Sequence, residues 1–337
     1  MQGSRGLHDG LLMRETGVLG IDIGGTKTLC LLVNQKYEVI AEEKFQTAPE
    51  DGRKKFVKRL RAAAESVAGI ALRKRMKIAG AGIAVAGRVN EKCGTIESAP
   101  NLLCLEKLNL ARLFKAEFGL GVRLGNDVQL ALYAEHRLGV ARDCRHVLGV
   151  FLGTGVAGAA IINGRLYSGA SGMGGQIGSI LTHHVGGADT LAGHAILDRV
   201  ASKAAIAGAA LGLAAKQWAP HLFKEVGTDL AKVSWGALRR AIRQGDSQVE
   251  DLLRARLRIT GITLSNVVNF MNPEMLVLGG GLPEEMPQLV RSEIDRGLRK
   301  YLPPEISKPL TVKVARFKNR AGAIGAARLA FEAAGLA

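Results

Sequence analysis

Apolar and polar positions fall into two alternating rhythms along this chain. Val18 to Val33 reads VLGIDIGGTKTLCLLV, two apolar runs around a small Gly-Gly-Thr break. Short apolar runs bounded by turn residues predict strands, and YEVIAEEK at 37–44 adds a third, making an antiparallel meander. Over 52–74 the period lengthens: Phe56, Leu60, Ala63, Val67 and Ile70 line one face of a predicted helix. KIAGAGIAVAG at 77–87 predicts a buried strand. After a loop containing Pro100 come a helix near 107–118, a short strand at 121–125 and a helix from Asp127 to about Gly139.

The opening pattern then returns. HVLGVFLGTGVAGAAIING at 146–164 is again strand, Gly-Thr-Gly tip, strand, roughly 130 residues after the first copy. Helices are predicted at roughly 189–209, 234–243 and 246–270. MLVLGGG at 275–281 is a strand running into three glycines, followed by a helix at 284–300, a strand at 311–317 and a closing helix from about Asn319. Two copies of one hairpin predict a duplicated α/β architecture with two lobes facing one cleft. The expected division is a loose tail at 1–16, a small lobe of 17–125 plus 318–337, and a large lobe of 126–317.

Composition sharpens this picture in a few places. A length of 337 residues suits two domains, and 47% hydrophobic with 23% charged residues excludes a disordered or fibrous chain. Lys and Arg exceed Asp and Glu by 46 to 30, a net +16 that favours an anionic partner (nucleic acid, a membrane surface or a phosphorylated small molecule) or simply reflects a generic basic surface. The four cysteines are scattered with no C-x-x-C pair, which excludes a zinc ribbon and fits a reducing cytoplasm. The N-terminus carries Arg5, Asp9, Arg14 and Glu15 without an apolar stretch, so no signal peptide is expected. Nor is a membrane span expected, since no uncharged stretch is long and apolar enough.

Three glycine motifs bear on chemistry. Gly20-Ile-Asp-Ile-Gly-Gly25-Thr26-Lys27 misses the P-loop pattern, because Thr26 stands where Lys is needed and a strand follows where a helix is needed. Gly153-x-Gly155-x-x-Gly158 fits a dinucleotide fingerprint in letters, but a strand again follows and no acidic residue lies about 20 positions on. Gly279-Gly280-Gly281 offers a surface that a base or ribose could approach. Backbone N–H groups at a hairpin tip can still cradle phosphate, with Thr hydroxyls adding donors. Asp22, just before the first tip, suits Mg²⁺ in a phosphate site, directly or through water, or simply caps the turn. Asp127 reads equally as a general base at a strand's carboxyl end and as a helix N-cap.

Asp22-Ile-Gly-Gly-Thr-Lys27, Ala99-Pro-Asn-Leu102, Asn126-Asp127 followed by Ala131 and Glu135, Gly153-Thr-Gly155, Gly175-Gln-Ile-Gly178 and Leu278-Gly-Gly-Gly281 occur in this order. Six such segments together, spread from about Val18 to Leu329, resemble the ROK family (repressors, open reading frames and sugar kinases). The resemblance implies an actin-like, hexokinase-like duplicated ribonuclease H fold and an ATP-dependent, glucokinase-like sugar kinase using Mg²⁺. It implies Asp127 as the base; Asn101 and Asn126 with Gln176 and Asp189 on the sugar side; Gly24, Gly25, Thr26, Lys27, Gly153, Thr154 and Gly155 on the phosphates; Gly279, Gly280 and Gly281 on the adenine side; and Asp22 near the metal. A cytoplasmic homodimer is expected.

The departures from the family pattern are as informative. Its Gly-Glu-Ile-Gly-His segment reads Gly175-Gln176-Ile177-Gly178-Ser179 here, losing a carboxylate and an imidazole. Its cysteine-rich zinc run is replaced by HHVGGADTLAGH at 183–194, so no structural zinc is expected; His183, His184, Asp189 and His194 could bind a metal or simply form a surface or pocket histidine cluster. The acceptor could therefore be another sugar, an amino sugar or a cyclitol, the donor ATP or polyphosphate, or the protein a weakly catalytic sugar binder. Family repressors carry a helix-turn-helix in front, and about 17 residues before the first strand are too few for one. Arg-rich stretches at 238–243 and 254–258 motivate a basic nucleic-acid binder, but their helical spacing suits a solvated face and aromatics for base stacking are few.

Overall fold

The computed structural model describes residues 15–183 and 194–337. They form two compact units: the chain up to Ala134 together with Arg320–Ala337, and Glu135–Asn319.

The first unit opens with β1 (Glu15–Ile23), β2 (Lys27–Asn34) and β3 (Val39–Gln46), followed by α1 (Arg53–Arg73) and β4 (Met76–Val85). A small hairpin, β5 (Arg88–Asn90) and β6 (Thr95–Ser98), leads to α2 (Leu110–Phe118), β7 (Val122–Asn126) and α3 (Asp127–Leu138). The second unit begins with β8 (Val147–Leu152), β9 (Val156–Ile162) and β10 (Arg165–Tyr167). It continues through β11 (Leu181–His183), β12 (His194–Ile196), α4 (Leu197–Ala201), α5 (Lys203–Ala215), α6 (Pro220–Val226), α7 (Trp235–Gln244) and α8 (Ser247–Met271). It ends with β13 (Met275–Gly279), α9 (Gly281–Glu285), α10 (Pro287–Arg299), α11 (Pro304–Ser307) and β14 (Thr311–Val314). The last helix, α12 (Ala321–Ala333), belongs to the first unit.

Each unit contains one five-stranded sheet, and the two sheets share a topology. The orders are β3-β2-β1-β4-β7 and β10-β9-β8-β13-β14. In both, the first three strands pair antiparallel and the remaining pairings are parallel. This is the duplicated ribonuclease H-like arrangement. The repeated sequence pattern is therefore a repeat in three dimensions.

The central strands are apolar on both faces because helices cover them, as parallel strands require. In the first unit Leu19, Ile21, Ile83 and Leu124 pack with Phe56 and Leu60 of α1 and Phe114 of α2. On the other face α12 lies directly on the sheet. A Cβ at Gly20 or Gly82 would overlap the backbone of Ala323 or Ala326, and one at Gly325 would overlap Leu130 of α3. These glycines set how close the helix can come. In the second unit α8 and α10 seat on each other through a reciprocal pair: Gly261 abuts the Ile294 carbonyl and Gly297 the Arg258 carbonyl.

Four sequence expectations are corrected. The helix at 189–209 is interrupted: β12 and α4 precede α5, with Ser202 in extended backbone capping α5 through Ala205 N–H (3.3 Å). The helix at 284–300 is two helices, because Pro287, lacking an N–H, begins a new one. The strand at 311–317 ends at Val314. The boundary between units falls inside α3, after Ala134, rather than at 125/126.

Candidate active site

In the first unit the site is built where β1 and β7 end. Gly24 N–H closes the β1–β2 tip onto the Lys27 carbonyl (3.1 Å), leaving Thr26 and Lys27 exposed. The tip is held from β3's far end by Thr47, a residue the sequence reading did not single out. Its hydroxyl donates to the Gly24 carbonyl (2.7 Å) and lies 3.0 Å from the Thr28 hydroxyl. Its N–H donates to the Thr26 carbonyl (2.9 Å). Asn101 projects beside Gly25, on a turn pinned by buried Ala99 and Leu102.

The junction Asn126-Asp127 resolves the ambiguity over the helix cap. The Asn126 side-chain oxygen accepts from Val128 N–H and Gln129 N–H, both at 3.1 Å, so Asn126 is the N-cap of α3. Its amide donates to the Gly87 carbonyl (3.1 Å) and to Asp127 Oδ1 (3.0 Å). The polar atoms of Asn126 are thus engaged in fixing this corner, and Asn126 rather than Asp127 holds the N-cap position, Asp127 standing as the first residue of α3.

Asp127 and Asp22 are half-buried carboxylates. Burial pushes Asp127 up to about 6, against the hydrogen bonds it receives from backbone N–H groups and Asn126. Burial first, then the charge of Asp127, pushes Asp22 up to about 7. Among the described residues no hydrogen bond or ion pair engages the Asp22 carboxylate, and Gly322 in the first turn of α12 leaves room for it: a Cβ there would stand 2.5 Å from Asp22 Oδ2. Two carboxylates within Coulombic reach of each other, one of them without a hydrogen bond among the described residues, supply oxygen donors that fit Mg²⁺. Glu135, which follows on α3, has a structural role instead. It accepts from Phe317 N–H (2.8 Å) and Val140 N–H (3.1 Å), and burial raises its pKa.

In the second unit the equivalent β8–β9 tip is closed by Gly153 N–H on the Gly155 carbonyl (2.9 Å), with Thr154 and Gly155 exposed. Here the brace is a carboxylate. Asp198 of α4 accepts from Val156 N–H at 2.7 Å, and Lys203 N–H, at the start of α5, donates to the Gly153 carbonyl (3.1 Å). Asp198 was also missed by the sequence reading, since its partner lies 42 positions away. Gln176 and Ser179 are both exposed, presented by Ile177 and Gly178, which are buried against β9. The three glycines after β13 have packing reasons of their own. Gly279 faces the Phe151 ring, Gly280 (φ 90°) the Leu152 backbone, and Gly281 the Trp235 indole.

Asp189 and His184 lie outside the described residues. The backbone register places His183 opposite His194 in β11–β12. Among the described residues no cluster of three or more His, Cys, Asp or Glu could hold a metal, and no helix is long and apolar enough to cross a membrane.

The chain is similar to a glucokinase of Streptomyces coelicolor, 29% identical over 324 residues, covering 93% of this chain and 97% of the relative. It is 26% identical over 321 residues to an N-acetyl-D-glucosamine kinase of Haemophilus influenzae, covering 92% and 98%. Among solved structures, a ROK family glucokinase from Streptomyces griseus in complex with glucose and AMPPNP superposes with a TM-score of 0.78 at 28% identity, covering 94% of this chain and 99% of that one. The ROK family profile matches residues 18–333, and with both sheets and six motif segments in place the chain belongs to the ROK family.

Proposed function

We propose that the protein is an ATP-dependent sugar kinase, glucokinase-like, that transfers the γ-phosphate to a hexose hydroxyl. The observation that carries this reading is Asp127: a carboxylate at a strand's carboxyl end, next to the Asn126 N-cap and poised at about 6. A base works best with a pKa near the operating pH. Its kinship with kinases of glucose and N-acetylglucosamine supports the reaction class.

In this mechanism Asp127 takes the proton of the acceptor hydroxyl. The hydroxyl oxygen forms a bond to the γ-phosphorus, the bond from phosphorus to the bridging oxygen breaks, and ADP leaves. Asn101 and Gln176 orient the sugar, with Asn126 holding Asp127. Gly24, Gly25, Thr26 and Lys27 in one unit, and Gly153, Thr154 and Gly155 in the other, contact phosphates through N–H groups, hydroxyls and the Lys27 ammonium. Gly279–Gly281 lie on the adenine side. Mg²⁺, when bound, neutralises phosphate charge, and Asp22 is the residue to hold it, directly or through water. A cytoplasmic homodimer belongs to the same proposal.

A second acceptor class is favoured by one observation. Gln176 and Ser179 replace a carboxylate and an imidazole of the family pattern, so an amide that donates and accepts faces the acceptor. That suits an amino sugar or cyclitol. An ADP-release assay across hexoses, amino sugars and cyclitols, with ATP and with polyphosphate, tests both readings. Release that depends on none of these acceptors overturns the kinase.

A further inference from the structure

We propose a second anion site on the second unit, in the groove between α10 and β14, that takes a phosphate monoester of a small polyol. The groove has a volume of about 520 Å³ and is walled by Arg291, Asp295, Arg296 and Arg299 of α10, with Leu310 and Val312 on the strand side. The helix's other face is buried through Val290, Ile294 and Leu298, so these polar residues occupy the outward arc.

The charges in the groove do not balance. Arg299 is fixed in place: it donates to Asp295 (2.8 Å), to the Leu310 carbonyl (3.1 Å) and to the Ser307 carbonyl. Asp295 is thereby neutralised. The nearest carboxylate to Arg296 is Glu293 at 3.9 Å, and Glu293 is already held by Arg254 and Arg258 at 2.5 Å each. Arg291 has no ion pair among the described residues. Three guanidinium groups and one carboxylate leave two positive charges facing a concave surface. Guanidinium forks match phosphate oxygens in geometry and charge. A phosphate monoester carries close to two negative charges at neutral pH. The groove, at about 520 Å³, is also larger than one phosphate, so it accommodates an organic body beside it. These two features together select a phosphorylated polyol over free phosphate. The inference does not depend on the kinase reading.

Calorimetric titration tests it, with glucose 6-phosphate as the probe, inorganic phosphate and glucose as comparisons, and AMPPNP plus glucose present to occupy the kinase site. The expected result is one glucose 6-phosphate per chain with a Kd below about 1 mM, weaker binding of inorganic phosphate and none of further glucose. Arg291→Gln with Arg296→Gln should weaken the probe at least about tenfold. Both residues are on the surface, so the variant should keep the wild-type circular dichroism and turnover. Absent binding, equal affinity for inorganic phosphate, or unchanged affinity in the double variant would each overturn the proposal.

Discussion

The two hairpin tips sit on sheets of identical strand order, yet they are held in different ways. At the first tip the hydroxyl of Thr47, just past β3, does the bracing; of the two carboxylates nearby, Asp127 accepts from backbone N–H groups and Asn126, while Asp22 has no hydrogen bond among the described residues. At the second tip a carboxylate from a helix does the bracing, and the backbone N–H of Val156 neutralises it in part. A duplicated scaffold can thus divide its labour. In the proposed kinase the first copy's carboxylates would serve chemistry and metal, while in the second copy Asp198 holds a loop.

Asp127→Asn bears hardest on this division. Turnover should fall about 10² to 10⁴-fold, because the amide keeps the shape and cannot accept the proton. Calorimetry should show AMPPNP and glucose binding nearly unchanged. A variant retaining more than half of wild-type turnover would remove the chemical role from the first copy.

The braces themselves can be compared next. Asp198→Ala leaves the Val156 N–H without its acceptor, a loss of about 1–3 kcal/mol where the group is buried. KM for ATP should rise about tenfold, a change of about 1.4 kcal/mol in binding. Thr47→Val removes a neutral hydroxyl bond of about 1 kcal/mol and should raise that KM less. Steady-state kinetics showing the larger effect for Thr47→Val would reverse the comparison.

The first copy's carboxylates also have a cost in stability. Asp22, pushed to about 7, and Asp127, pushed to about 6, both lie above their unfolded values. Ionised in the fold, they destabilise it at pH 8; below about pH 4 both are neutral in either state and the penalty vanishes. Asp22→Asn should therefore raise Tm by at least about 2 °C at pH 8, with the gain closing as pH falls from about 7 toward 4. In the wild type, kcat/KM should decline as pH falls through about 6, when Asp127 takes up its proton. A Tm difference that grows on acidification would contradict this account of the pair.

The smallest effects concern the second copy's altered segment. KM for glucose should lie at or above about 1 mM, and Gln176→Glu with Ser179→His should lower it. Purified protein should carry no stoichiometric zinc, since the thiolates of a structural site are missing from 183–194. Tight glucose binding in the wild type, or one zinc per chain by elemental analysis after dialysis, would show that other residues have replaced the lost contacts.

The chain's own letters determined the two hairpins, because apolar runs around Gly and Thr leave few alternatives to strand and tight turn, and they marked Asp127 and Asn126 at a strand–helix junction. They also marked the long helix α8 through its period. Local signals could not show which of Asn126 and Asp127 caps α3, since both residue types serve and only the hydrogen bonds decide. Thr47 and Asp198 escaped notice for a related reason: each meets its tip across 23 or 42 residues of chain, and no periodicity encodes such a meeting. The breaks at Ser202 and Pro287 were lost inside longer apolar patterns. The unit boundary within α3 follows from packing of its first turns against α12, where Leu130 meets Gly325. Sequence patterns record what each element buries; the tertiary structure alone decides which polar groups meet, because hydrogen bonds and charge compensation depend on distances that only the fold sets.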